Sequence, residues 1–224
     1  MLNSNTQNVI ILTYCYAEVT MEITMIRISC VGDSLTYGHL VEDREVNCYP
    51  AVLNELLGDK YVVGNFGVNG HTMLKTGDRP YWDHENFKLS SILNPHIVII
   101  MLGTNDSKPH NFTSIQDFIS TYEEMIAHYR GLDSKPLVYI ATPPTVFPPE
   151  SPYIIDIRSE IVNQIAEAIR ELGKKLLVPV VDVGKETLNS PKCFVSDGVH
   201  TNKKGAELIA NVVFRNLKNR KERV

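Results

Sequence analysis

The feature that most limits the fold of this chain is the run from His96 to Leu102, in which every residue after the histidine is apolar. A half-buried strand would alternate apolar and polar residues, whereas a continuous apolar run is typical of a strand that is buried on both faces. Such strands belong to parallel sheets covered by helices on both sides. Four further segments have strand character: Met25–Val31, Tyr61–Phe66, Leu137–Ala141 and Leu177–Val181.

Segments with helical periodicity separate these five strands. The second predicted helix opens with a capping-box pattern formed by Thr113 and Gln116, and the third has a proline at its first helical position. This alternation of strand and helix predicts an α/β fold of three layers, with a five-stranded parallel sheet between the helices. The predicted helices are Tyr49–Leu57, Thr113–Tyr129, Ser151 to about Leu172, and Lys203–Leu217.

Length and composition indicate one folded domain. The chain has 224 residues, of which 43% are hydrophobic and 21% are charged, an ordinary globular balance. We assign residues 25–224 to this domain, because Met25 opens the first convincing strand, and we interpret residues 1–24 as a disordered extension or an artefact of the assigned start. The apolar stretch Val9–Leu12 follows no Lys or Arg and is a poor signal peptide, so we expect a cytoplasmic protein without a membrane span.

Charge and metal-ligating residues argue against several classes of function. The net charge of −4 gives no electrostatic basis for binding nucleic acid. The four cysteines have no CxxC spacing and are expected to be reduced, and the seven histidines form no HxH or HExxH pattern. The sequence therefore predicts no metal site and no cofactor.

Four short blocks carry residues of the kinds that an acyl-transfer site requires. Three of these blocks follow predicted strands, and parallel strands bring their carboxyl ends to one edge of the sheet. A serine, a glycine amide, an asparagine amide and an Asp/His pair can supply a nucleophile, oxyanion donors, and a base with its orienting acid. The blocks are Gly32-Asp33-Ser34-Leu35, Asn69-Gly70, Gly103-Thr104-Asn105-Asp106 and Asp197-Gly198-Val199-His200.

The spacing within the fourth block has its own physical meaning. Asp197 and His200 are three residues apart in one turn. At this spacing the Asp197 carboxylate can reach Nδ1 of His200 and leave Nε2 facing Ser34. Asp182, which follows the fifth predicted strand, is a rival for the role of the acid, although its spacing does not tie it to His200. Each block alone also fits a turn or a helix cap, and it is the combination in this order that favours a catalytic site.

These residues resemble the SGNH (GDSL) hydrolase family, over about Met25 to Leu217. The match consists of Ser34 in Gly-Asp-Ser-Leu, Gly70 in Gly-Val-Asn-Gly-His-Thr, Asn105 in Gly-Thr-Asn-Asp and His200 in Asp-Gly-Val-His. The resemblance implies a flavodoxin-like fold and an oxyanion hole formed by the backbone N–H groups of Ser34 and Gly70 and by the Asn105 side chain. His71 departs from the family pattern, and we interpret it as a surface or substrate contact. The Gly-x-Ser-x-Gly elbow of α/β-hydrolases does not fit, because Thr36 stands where that motif has its second glycine.

The loops at the predicted site mix aromatic and polar residues and contain no aliphatic stretch that could line a groove for a long acyl chain. Such loops suit a sugar ring, with Trp82, His71 and Phe147 as candidate substrate contacts. Carbohydrate esterases of the same family have a similar Gly-Thr-Asn-Asp-Ser-Lys-Pro stretch, so the resemblance implies an esterase for short, acetyl-type esters of a carbohydrate or similar polar alcohol. The alternatives are a lysophospholipase or thioesterase for longer chains, a phosphate- or nucleotide-binding module, and a catalytically inactive binding protein.

Overall fold

The computed structural model describes residues 25–150 and 156–221. Its centre is a sheet of five strands in the order β2-β1-β3-β4-β5, and all neighbouring pairs are parallel. The predicted five-stranded parallel sheet is therefore confirmed. The strands are β1 (Ile26–Gly32), β2 (Tyr61–Gly67), β3 (Ile97–Met101), β4 (Leu137–Ala141) and β5 (Val180–Val181).

Helices cover both faces of the sheet. Four of them are long enough to show a clear apolar side in the sequence: α3 (Tyr49–Leu57), α5 (Ile115–Gly131), α6 (Ser159–Leu176) and α8 (Lys203–Lys221). The shorter helices are α1 (Ser34–Tyr37), α2 (Arg44–Asn47), α4 (Glu85–Ile92) and α7 (Val183–Thr187).

Strand β3 shows how the two cores are built. Val98 and Ile100 pack in one core with α5 and α6, whereas Ile99 and Met101 pack in the other core with α3 and α8. Successive side chains of a strand point to opposite faces, so a strand between two helical layers needs apolar residues at every position. Each fully buried side chain of this kind contributes about 1.5–3 kcal/mol of transfer free energy, and the continuous apolar run thus fixes the three-layer α/β/α architecture.

Four predicted boundaries differ from the structure for local reasons: the start of α5, both ends of α6 and the start of β5. Helix α5 begins after Ser114, whose Oγ accepts a hydrogen bond from the Asp117 N–H at 3.0 Å, so the cap is not the predicted Thr113. Helix α6 begins at Ser159, since residues 156–158 are not helical; Ser151 and Pro152, the predicted start, lie outside the described residues. The same helix continues to Leu176, and the left-handed backbone at Leu177 ends it, which leaves only Val180–Val181 as strand β5.

Two further expectations concern residues outside the sheet. The proposed extension, residues 1–24, and with it Cys15, lies outside the described part of the chain. Cys30 and Cys48 are buried free thiols, and Cys193 is a half-buried one. Among the helices of residues 25–150 and 156–221, none is long and apolar enough to cross a membrane.

Candidate active site

The carboxyl edge of the sheet collects the residues that the four blocks supply. Ser34 is the first residue of α1 and follows the end of β1 by two residues, and Gly70 follows the end of β2 by three. Asn105 opens a short 3-10 helix after β3, and the Asp197–His200 turn lies just before α8. Because the strands are parallel, segments far apart in sequence meet at this edge.

Ser34, His200 and Asp197 form a continuous chain of polar contacts. Nε2 of His200 lies 2.9 Å from Oγ of Ser34, and Nδ1 of His200 lies 2.6 Å from Oδ2 of Asp197. Ser34 and Asp197 are each 6% exposed, so both contacts are largely shielded from water. Charge-assisted hydrogen bonds are strongest under such shielding.

The turn that carries Asp197 and His200 is held by its own backbone. Oδ1 of Asp197 accepts hydrogen bonds from the N–H groups of Val199 (2.8 Å) and His200 (2.9 Å), while Oδ2 faces the imidazole. Burial pushes the pKa of Asp197 upward, but the hydrogen bonds from His200 and the two amides outweigh it and hold that pKa below its ordinary value. Gly198 has φ +71°, and a Cβ there would lie 2.1 Å from the carbonyl oxygen of Phe147, so only glycine fits.

Gly70 and Asn105 face the same space as Ser34. Gly70 has φ +79°, which favours glycine, and its N–H has no acceptor within the described residues. Nδ2 of Asn105 donates to the carbonyl oxygen of His71 at 3.2 Å, which orients the amide group and leaves its second N–H free to point at a ligand.

A cleft of about 450 Å³ opens above these residues. Among the described residues, 25–150 and 156–221, its lining contains no aliphatic residue, and the aromatic rings that line it are imidazoles. Charged groups from two loops and from the segment before α6 form one part of the wall. The lining residues are Ser34, His39, Asn69, Gly70, Asp78, Arg79, Asn105, Lys108, His110, Asp156 and His200.

The three predicted substrate contacts do not line this cleft. The indole N–H of Trp82 donates to the Met73 carbonyl at 2.9 Å, and its ring packs beside Phe87. Phe147 lines a separate pocket of about 270 Å³ next to Asp197, and its N–H donates to the Gly198 carbonyl. The His71 ring stands edge-on to His84. These two contacts of Trp82 lie within its own part of the structure, and sequence alone does not distinguish a loop aromatic of this kind from one that faces a ligand.

Asp182 does not compete with Asp197 in this geometry. Its carboxylate binds the guanidinium of Arg170 at 2.9 Å and caps α7 through the Lys185 N–H at 3.2 Å. These partners lie on α6 and α7, and no hydrogen bond joins Asp182 to His200 in the described structure.

His39 is a cleft residue that the sequence analysis did not identify. Its ring stands edge-on to that of His200, with 4.8 Å between centroids, and its Nδ1 accepts a hydrogen bond from the Asn69 amide at 3.3 Å. Burial, and secondarily the neighbouring His200, lower the pKa of His39. It lies five residues after Ser34 in a loop, where no motif or periodicity distinguishes it.

Two buried carboxyl groups lie behind the site. Asp106 accepts hydrogen bonds from the N–H groups of Met73 (3.0 Å) and Leu74 (2.7 Å), which ties the loop after Gly70 to the segment of Asn105. Oδ1 of Asp33 accepts from the Leu35 N–H, whereas its Oδ2 has no partner in the described structure. Burial raises the pKa of Asp33 to about 7 and that of Asp106 to about 6. In residues 25–150 and 156–221, no group of three or more His, Cys, Asp or Glu could hold a metal ion.

Residues 30–208 match the model of the GDSL-like lipase/acylhydrolase family. The chain belongs to this family. The match includes all four blocks, and the GDSL-type assignment made from them is therefore confirmed.

Two kinds of relative accompany the family match. An acetylxylan esterase from Xylanibacter ruminicola is 32% identical over 211 residues, which cover 86% of this chain but only 43% of that protein. The chain thus spans less than half the length of this relative. Among solved structures, the native M. smegmatis aryl esterase superposes with a TM-score of 0.75 at 21% identity, covering 87% of this chain and 99% of that one.

A carbohydrate acetylesterase family member from Sinorhizobium meliloti superposes similarly, with a TM-score of 0.71 at 22% identity over 87% of this chain and 98% of the other. At such identities the superpositions bear on the fold alone. They confirm that the GDSL-type chain has the three-layer architecture of these esterases.

Proposed function

We propose that this GDSL-type protein is a serine esterase with Ser34 as nucleophile, His200 as general base and Asp197 as the acid that orients it. The observation that carries the proposal is the uninterrupted contact from Ser34 Oγ to His200 Nε2 and from His200 Nδ1 to Asp197 Oδ2. A hydroxyl at its ordinary pKa is a weak nucleophile and needs an adjacent base. The buried Asp197 carboxylate fixes the tautomer of His200 and stabilises the imidazolium that forms.

The reaction proceeds through an acyl-enzyme in two half-reactions. Ser34 Oγ attacks the ester carbonyl while His200 takes its proton, and the negative charge moves onto the carbonyl oxygen. The N–H groups of Ser34 and Gly70 and the side chain of Asn105 donate to that oxyanion. His200 then protonates the departing alkoxide, and a water molecule, deprotonated by the same imidazole, releases the acid from Ser34.

The lining of the cleft supports a small acyl group and a polar alcohol as the substrate. The part of the cleft that the structure describes has no aliphatic wall to bury the methylenes of a long chain, although burial of each methylene would stabilise binding by about 0.8 kcal/mol. Charged and amide side chains, by contrast, can bind the hydroxyl groups of a sugar. The similar acetylxylan esterase and the similarly folded carbohydrate acetylesterase agree with acetylated carbohydrate as the substrate class.

A series of p-nitrophenyl esters from acetate to palmitate tests this proposal. We expect kcat/KM to be highest at acetate or butyrate and to fall by orders of magnitude in Ser34→Ala. Ser91→Ala is the matched control, because Ser91 lies in α4 and binds the Phe87 carbonyl and His128, away from the cleft. A maximum at eight carbons or longer would contradict the short-chain proposal and favour a lysophospholipase or thioesterase.

A further inference from the structure

Two cationic side chains in the cleft have neither a hydrogen-bond partner nor an ion-pair partner in the described part of the chain. Arg79 and Lys108 both line the cleft, and neither forms an ion pair with a carboxylate of residues 25–150 or 156–221. Most other charged groups at this end are engaged: Lys75, for example, pairs with Glu124 and lies over the Trp82 ring. Unpaired cations facing a cleft are candidate anion sites, since a guanidinium matches a carboxylate bidentately.

Arg79 lies directly beside the proposed oxyanion donor Gly70. A Cβ built on Gly70 would be 3.5 Å from Nη1 and 3.8 Å from Cδ of Arg79. A carboxylate bound by Arg79 would therefore belong to the same small molecule whose ester carbonyl faces Ser34. A group much farther away along a polymer would not reach it.

The backbone under both cations is held in place. The Arg79 carbonyl accepts from the Thr72 N–H at 2.9 Å, and the Asp78 N–H donates to the Asn111 side chain at 2.8 Å. Asn111 also donates to the carbonyl of Asn105, and Lys108 ends the short helix that Asn105 opens. The loops that carry the cations are thus fixed relative to Asn105, which lowers the cost of binding an anion there.

The acidic residues of the cleft form no ion pair with these cations within the described residues. Burial raises the pKa of Asp78, but the hydrogen bond from Asn111 and the charge of Lys108 outweigh it and lower that pKa. Oδ1 of Asp78 accepts from Asn111 at 2.9 Å, and its Oδ2 lies 3.4 Å from Nε2 of His110. Asp156, an exposed residue in the lining, forms no ion pair within the described residues and can accept hydrogen bonds from sugar hydroxyls.

We infer that Arg79, assisted by Lys108, binds a carboxylate on the alcohol part of the substrate, so that the enzyme prefers acetyl esters of acidic sugars such as uronates. This inference rests on the proposed esterase function and narrows its substrate class. The carboxylate forms the bidentate contact with Arg79, while Asp156 accepts from neutral hydroxyls of the same ring.

The test compares two substrates that differ in one charge: acetylated methyl glucuronoside and acetylated methyl glucuronamide. For the wild-type protein we expect kcat/KM to be about tenfold higher on the carboxylate, mainly through KM, and the ratio to shrink at high salt. Arg79→Gln should bring the ratio close to one, and Lys108→Gln should lower it less. Lys75→Gln, a cation outside the cleft, is the matched control and should leave the ratio unchanged.

Three outcomes would overturn the inference. One is a wild-type ratio at or below one, and another is a ratio that survives both Arg79→Gln and Lys108→Gln. The third is an equal loss on both substrates in Arg79→Gln, which would assign Arg79 to the oxyanion instead. The esterase proposal fails separately, if hydrolysis of p-nitrophenyl acetate does not depend on Ser34.

Discussion

The side-chain amide of Asn105 is held in a fixed orientation at the cleft. One N–H of its side chain donates to the His71 carbonyl, and the residue is only 6% exposed while still lining the cleft. A donor that is fixed before the reaction needs no reorganisation when charge develops on the substrate oxygen. We propose that the Asn105 amide is a donor of this kind.

Replacing Asn105 should therefore affect the transition state more than substrate binding. We expect Asn105→Ala to lower kcat by about 10²–10³, equivalent to about 2.7–4 kcal/mol, with little change in KM. Steady-state kinetics measure both constants, and Asn211→Ala on the exposed side of α8 is the control, since its amide binds only the Glu207 carbonyl. A change confined to KM would make Asn105 a ground-state contact.

The site residues were predictable to different degrees. Ser34, Gly70, Asn105, Asp197 and His200 lie in short motifs next to strand ends, and the parallel sheet brings those ends together. Loops with polar residues were expected at this edge, but which of their charged side chains line the cleft, and the position of His39, depend on tertiary contacts that leave no periodic pattern in the sequence.

At the scale of whole elements, the carboxylates after β5 and before α8 have separate tasks. Asp182 caps α7 and pairs with Arg170 of α6, whereas Asp197 faces His200. Only the contact between Asp197 and His200 becomes stronger when the imidazole is protonated. Only the Asp197 carboxylate can therefore stabilise the charged form of the base.

Asparagine substitutions at these two positions should have very different effects. Asp197→Asn should lower kcat by about 10⁴-fold, because the amide cannot stabilise the imidazolium and favours the wrong tautomer. Asp182→Asn should leave kcat near the wild-type value and lower the free energy of unfolding by up to about 1 kcal/mol, as expected for a half-exposed ion pair. If Asp182→Asn proved the more damaging to kcat, the acid's role would pass to Asp182.

Element positions follow from the sequence where burial dictates them. The apolar run of β3 and the amphipathic pattern of α3 predict these elements closely, and α3 has the predicted bounds Tyr49–Leu57. Helices such as α1 and α7, with four and five residues, are too short to show a period. The end of α6 is set by the left-handed backbone at Leu177, a non-glycine residue for which sequence offers no signal.

The buried carboxyl groups behind the site make the free energy of unfolding of the whole molecule depend on pH. Burial raises the pKa of Asp33 to about 7, against about 3.9 in an unfolded chain. Between these values the folded state keeps a proton that the unfolded state has lost. The free energy of unfolding should consequently decrease as the pH rises through this window, by up to about 1.4 kcal/mol per pH unit for this one group.

Asp33→Asn isolates this effect, since the amide oxygen can still accept from the Leu35 N–H. We expect the stability of the variant, relative to the wild-type protein, to increase from about pH 4 to pH 7 and then to level off. Urea unfolding at a series of pH values measures this difference. A difference that does not vary with pH would show that Asp33 is ionised in the fold throughout this range.

Covalent labelling with a fluorophosphonate, followed by intact mass measurement and peptide mapping, tests the role of Ser34 as nucleophile most directly. If His200 activates Ser34 as proposed, we expect one adduct on the wild-type protein, located on Ser34, with much slower labelling in His200→Ala. Ser91→Ala should label as the wild-type protein does, and Ser34→Ala should not label. An adduct on another residue, or labelling that persists in Ser34→Ala, would contradict the assignment of Ser34 as the nucleophile.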